Sequence, residues 1–166
     1  IYSFKSIYTD KSRQLKKVYN VKVAALIDSS AWEHYFATEP RWNVLTRSSN
    51  TKKKIQKIYS HVFNGVHLLY QGINDPSLSI NVFLSNCIFL KKFTDFPYSK
   101  SSVVPYKKKN YIDESEYLLD IRLWDMRIGA KFHPAYNHLM LITKYELFIG
   151  SFTTHIRNNI TVSGFA

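Results

Sequence analysis

Lys52-Lys-Lys-Ile-Gln-Lys-Ile-Tyr-Ser-His-Val-Phe-Asn-Gly-Val-His-Leu-Leu-Tyr70, followed after a turn by Leu78-Ser-Ile-Asn-Val-Phe-Leu-Ser-Asn-Cys-Ile-Phe-Leu90, sets the architecture of the chain. In the first segment Ile55, Ile58, Tyr59, Val62, Phe63, Val66, Leu69 and Tyr70 recur at three- and four-residue steps. That period predicts one apolar face of a long helix. Asn50 and Thr51 stand before it as N-cap candidates. Gly72, Asn74-Asp75-Pro76 and Ser77 predict a turn, with Gly72 suited to a left-handed cap and Pro76 barring further helix. In the second segment both phases of the alternation are mostly apolar: Ile80, Val82, Leu84, Ile88 and Leu90 oppose Phe83, Cys87 and Phe89. A strand apolar on both faces belongs in a parallel sheet covered by helices on both sides.

The flanking segments fit the same plan. Residues 1–20 are polar and basic and predict an extended lead-in; residues 21–166 form the domain. Residues 21–27 read as a strand closed by Asp28, and residues 31–37 as a short helix. Residues 91–112, with Pro97, Pro105 and the Lys107–Lys109 run, read as a long loop. Asp113 with Glu116 makes a capping-box pattern, opening a helix whose stripe is Tyr117, Leu118, Ile121, Trp124 and Ile128 and which stops at Gly129. Its acidic cluster suits the macrodipole at a helix start better than acid–base chemistry. Residues 139–143 form another strand, 144–158 are loop-rich, and 160–166 begin as a last strand. The order implies an α/β fold with a mostly parallel twisted sheet and covering helices.

With 166 residues, 45% of them hydrophobic and 16% aromatic, the chain has the length and composition of one globular domain. A net charge of +11, spread along the sequence, reads first as a basic solvated surface, and second as contact with nucleic acid, heparin-like polyanions or acidic membranes. No apolar run approaches the ~20 residues of a membrane span, so a soluble chain without a transmembrane segment is expected. The chain starts at Ile1 and shows no signal peptide, which leads us to expect a processed chain or a fragment. Cys87, within an apolar strand, is expected to be a buried free thiol.

No catalytic constellation can be assembled from these residues. His61 and His67 are six apart and His133 and His138 five apart, whereas two ligands on one helix face need three or four. Cys-x-x-Cys, His-Glu-x-x-His, a Gly-rich phosphate loop and a Gly-x-Ser-x-Gly elbow are all missing from the sequence.

The ordered segments nevertheless resemble the reprolysin (adamalysin) domain of the metzincin zinc endopeptidases. Residues 21–28, the helix containing Val62-Phe-Asn-Gly-Val-His-Leu-Leu-Tyr70, and Ser79-Ile-Asn-Val-Phe-Leu84 are similar to its opening β–α–β unit. The helix around Trp124 and Tyr136-Asn-His-Leu-Met-Leu-Ile-Thr143 resemble its second helix and third strand. Val162-Ser-Gly-Phe-Ala166 resembles the opening of the antiparallel edge strand that borders the substrate cleft. The resemblance implies a secreted, extracellular peptidase in which zinc-bound water attacks a peptide carbonyl with a glutamate as base. It implies that Gly164, Phe165 and Ala166 align an extended peptide or protein substrate by β-augmentation. In a secreted protein Asn159, in Asn159-Ile-Thr161, would be a glycosylation site.

The departures are equally specific. In the family the zinc helix and methionine turn come after this edge strand, so the zinc, its ligands and the downstream zinc-helix subdomain would lie past Ala166. The chain itself is therefore expected to bind no metal and to be inactive alone. Calcium is not expected either, because Lys22 and Asn137 fall where the family carries a glutamate and an aspartate. Two other readings stay open: a non-catalytic secreted relative of the same fold that binds host partners, and a basic polyanion-binding module.

Overall fold

Two apolar runs joined through a long helix pair in parallel across the crossover, and the chain follows that course. In order it forms β1 (Lys17–Ile27), α1 (Ser29–Ala37), α2 (Val44–Gln71), β2 (Leu78–Phe89), a 3-10 turn (Phe93–Asp95), β3 (Val103–Tyr106) and β4 (Lys109–Asp113). α3 (Glu114–Arg127), β5 (His138–Ile142) and β6 (Glu146–Phe148) follow. This computed structural model describes residues 16–42, 44–73, 75–95, 102–106, 109–128, 131 and 136–149. The main sheet is parallel with order β2-β1-β5; a second, small sheet has order β3-β4-β6.

β1 is exposed over its first residues and fully buried from Val23 onward. The change falls where β5 joins, since Val23–Ile27 pair with His138–Ile142 while the earlier residues pair with β2 alone. Helices then cover both faces. Val23, Ala25 and Ile27 lie under α1 and α2 with Trp32, Ile55 and Phe63. Ala24 and Leu26 face the other way, under Tyr117, Ile121 and Trp124 of α3.

β2 departs from strict alternation. Val23 pairs with Leu84 but Ala24 pairs with Asn86, so Ser85 is an extra residue in a β-bulge. Its hydroxyl donates to the Val23 carbonyl at 3.0 Å. The bulge changes the phase of the strand. Ile80, Val82 and Leu84 share the α2 side with Cys87 and Phe89, while Ile88 and Leu90 point toward α3. The grouping of Ile88 and Leu90 with Val82 is thus corrected, because a period of two cannot register an inserted residue.

Other expectations are corrected in the same way. Helix α2 starts at Val44, so Asn50 and Thr51 are interior; Thr51 is fully buried and donates to the Arg47 carbonyl at 2.8 Å. Arg47 holds this added turn, donating to the Phe36 carbonyl at 2.7 Å and lying 4.0 Å over the Phe36 ring. Val62, Leu69 and Tyr70 are exposed, which takes them out of the α2 stripe, whereas Ile55, Tyr59, Phe63 and Val66 pack on the core as expected. Gly72 receives no left-handed conformation; its N–H bonds the Leu68 and Leu69 carbonyls. Val103–Tyr106 and Lys109–Asp113 pair as antiparallel strands where a loop was expected, and β6 falls in the stretch read as loop-rich. Asp113 does cap α3, accepting from the Glu116 N–H at 3.1 Å, while its own N–H donates to the Ser102 carbonyl at 2.9 Å; Leu118 and Ile128 stay exposed. The last strand, 160–166, lies outside the described residues.

Candidate functional site

Open α/β sheets bind ligands beyond the carboxyl ends of their strands, and here that end is built around Asp28. β1 delivers Asp28 fully buried to the start of α1. Its Oδ1 accepts from the Ala31 N–H at 2.9 Å and the Ser30 hydroxyl at 2.7 Å; its Oδ2 accepts from the Tyr117 hydroxyl at 3.0 Å. The carboxylate thereby ties β1, α1 and α3 together. Its role is that of an N-cap and anchor, not of a general base.

A polar lattice extends from this anchor to the segment after β5. Ser30 Oγ accepts from the Lys144 N–H at 2.7 Å and lies 3.2 Å from Thr143 Oγ1, and Ser29 Oγ is 3.1 Å from the Tyr145 hydroxyl. Above it opens a cleft of about 590 Å³. Ser30, Glu33 and His34 of α1 form one wall, Phe93 a second, and Lys109 with Asn110 of β4 a third. Lys144, Tyr145 and Glu146 close the floor. Charges of both signs around a small aromatic patch suit a polar ligand with separated charges, such as a peptide segment, held by hydrogen bonds and ion pairs. Ser30 is not set beside a free base, since its proton goes to a carboxylate already satisfied by two other donors.

The cleft residues come from four separated segments and carry no sequence motif. Pattern reading therefore missed them, although it noted Asp28, the buried carboxylate at the end of the first strand to which Ser30 is bonded. Gly164, Phe165, Ala166, Asn159 and His133 lie outside the described residues. His61 and His138 are exposed and His67 is half-buried, its Nδ1 accepting from the Val82 N–H at 3.3 Å while the ring stacks on Phe83. That contact gives His67 a packing role. Cys87 is half-buried, and burial pushes its thiol up from an ordinary 9.0 to about 11, which keeps it protonated and unreactive at neutral pH.

No family model, curated protein or solved structure matches the chain. Among the described residues no group of three or more His, Cys, Asp or Glu side chains is placed to hold a metal ion, and no helix is long and apolar enough to cross a membrane. Lys22 and Asn137, by contrast, do meet. The Lys22 N–H donates to Asn137 Oδ1 at 2.8 Å, and the Asn137 N–H donates to the Lys22 carbonyl at 3.0 Å. One amide oxygen taken up by the backbone and a lysine ammonium in place of a carboxylate do not fit a calcium ion.

Proposed function

We propose that the chain is the upstream part of a secreted, reprolysin-like zinc metalloendopeptidase. In this reading it supplies the sheet scaffold, and Gly164, Phe165 and Ala166 form the cleft-edge strand that aligns a peptide substrate. The zinc ligands and the general-base glutamate would come from sequence following Ala166.

One juxtaposition carries the reading. Lys22 and Asn137 are 115 residues apart, and sequence resemblance alone matched them to two ligands of one calcium site in that family. In the folded chain they are joined by a pair of hydrogen bonds at the head of the β1–β5 contact. That the two matched positions become neighbours is what the resemblance implies and supports the reading. A parallel sheet covered by helices on both faces is also what the resemblance implies.

The test is to read the coding sequence past Ala166 and to express the longer chain beside residues 1–166. The longer chain is expected to contain His-Glu-x-x-His, to hold one zinc by elemental analysis and to cleave a denatured protein substrate, whereas 1–166 does neither. A downstream sequence without that motif would turn the assignment to a non-catalytic binder of the same fold. Stoichiometric zinc in 1–166 alone would overturn it.

A further inference from the structure

Helix α2 contains no acidic residue, while Arg47, Lys52, Lys53, Lys54 and Lys57 crowd its first half. Local electrostatics oppose that placement. Of these residues only Arg47 sits in the first turn, the positive end of the helix macrodipole, where cations are disfavoured. Lys53 and Lys57 moreover form a like-charged i, i+4 pair. Packing explains only part of the set: Arg47 binds Phe36, Lys52 Nζ lies 5.6 Å over the Phe89 ring, and Lys54 pairs with Glu39 at 3.3 Å. Lys91, at the end of β2, brings another cation to the same place, bonding Ser48 at 3.0 Å. Lys53 and Lys57 are exposed.

A second observation stands beside this charge. Trp42, Val44 and Leu45 are 84%, 77% and 97% exposed at the start of the same helix. Leu45 and Lys52 are two turns apart on one side of α2, while Lys53 and Lys57 lie about 80° and about 120° round from Leu45 and Val44 about 100° the other way. The apolar residues thus surround the tip of the helix and the lysines follow further along it. Large apolar side chains thrust into water beside unpaired cations are the pattern of a surface that lies on a membrane.

We propose that this end of α2 docks on an anionic phospholipid surface. Trp42, Val44 and Leu45 enter the interfacial layer, where a Trp ring is favoured, and Lys52, Lys53 and Lys57 face the headgroup phosphates. The apolar residues select lipid over the other polyanions. A sulfated polysaccharide uses lysines and gains nothing from Val44 and Leu45, and a nucleic acid strand uses a row of stacking rings that a single Trp42 does not offer. The inference does not depend on the peptidase reading.

Tryptophan fluorescence tests it, because Trp32 and Trp124 are only 6% and 2% exposed and an aqueous quencher reports Trp42. The full chain is mixed with phosphatidylcholine vesicles, or with phosphatidylcholine–phosphatidylserine vesicles at about two to one. Expected are co-sedimentation with the second kind alone, a blue-shifted emission and loss of iodide quenching. Replacing Lys52, Lys53 and Lys57 by Gln is expected to weaken binding about fivefold per lysine, on the order of a hundredfold together. Leu45→Ser also weakens it, and Trp42→Phe keeps binding while abolishing the spectral change. Equal binding to both vesicles, no binding, or Leu45→Ser without effect overturns the proposal. Leu45→Ser without effect, combined with heparin retention that the lysine variants lose, would assign the surface to sulfated polysaccharide.

Discussion

Asp28 holds three elements through one carboxylate, so its replacement acts on all of them. Asp28→Ala removes an N-cap, worth about 1 kcal/mol, and the buried acceptor of the Tyr117 hydroxyl, worth about 1–3 kcal/mol. A loss of about 2–4 kcal/mol in urea unfolding is expected. Tyr117→Phe should recover only the second part, and a double-mutant cycle separates the two. Cys87 adds a pH effect of definite sign. Its thiol is held up to about 11 by burial, so the folded state favours the protonated form. The stability this contributes is complete below the ordinary 9.0 and is lost as pH rises toward 11. Iodoacetamide should therefore label Cys87 slowly at neutral pH and faster through that alkaline window; rapid labelling at neutral pH would contradict the assignment. The sequence revealed Asp28 as a carboxylate ending a strand and Cys87 as a strand thiol. It did not reveal Tyr117 as the partner of Asp28, because no local pattern links residues 89 apart.

The two long elements of the α2–β2 unit make opposite demands on sequence reading. The α2 stripe was legible where it faces the sheet, and Phe63, 5% exposed between Val23 and Val82, is its best test. Phe63→Ala is expected to cost about 3–5 kcal/mol in chemical unfolding; a loss below about 1 kcal/mol would reassign the helix face. The start of α2 was not legible, since Arg47 and Ser48 are held by Phe36 and Lys91 rather than by a cap in their own sequence. In β2 the obstacle was Ser85. Leu84 and Asn86 already face the partners they would have without it, so deleting Ser85 leaves both halves on their present sides. The deletion variant is expected to fold, losing about 1 kcal/mol for the Ser85–Val23 bond. Loss of its cooperative transition would mean that the bend itself is required. The β3–β4 pair was hidden by Pro105, which breaks a strand pattern yet is tolerated at an edge, and β3 pairs with β4 alone among the described residues.

At the scale of the whole molecule the excess of +11 charges is the dominant electrostatic fact. Self-repulsion at that net charge opposes compaction, and salt screens it with a Debye length of about 10 Å at 0.1 M. The thermal midpoint is expected to rise from low salt to about 0.3 M sodium chloride. A fall over that range would mean that attractive pairs outweigh repulsion. The α/β class and the sequence of its main elements were legible because burial on two faces leaves an apolar signature in any strand. The cleft was not, because its walls gather from α1, the 3-10 turn, β4 and the β5–β6 segment only after folding. The central position of β1 has a further consequence in time. Its neighbours on the two sides lie 62 and 115 residues downstream, as the Ser85–Val23 and Lys22–Asn137 bonds record. During synthesis the β1–α2–β2 unit can close as soon as β2 has emerged, whereas the opposite edge of β1 must wait for β5. In that interval a row of free amides and carbonyls flanks some of the most apolar residues of the chain. The nascent protein is then most vulnerable to pairing with another copy of itself, and a chaperone or rapid elongation through residue 142 is what would protect it.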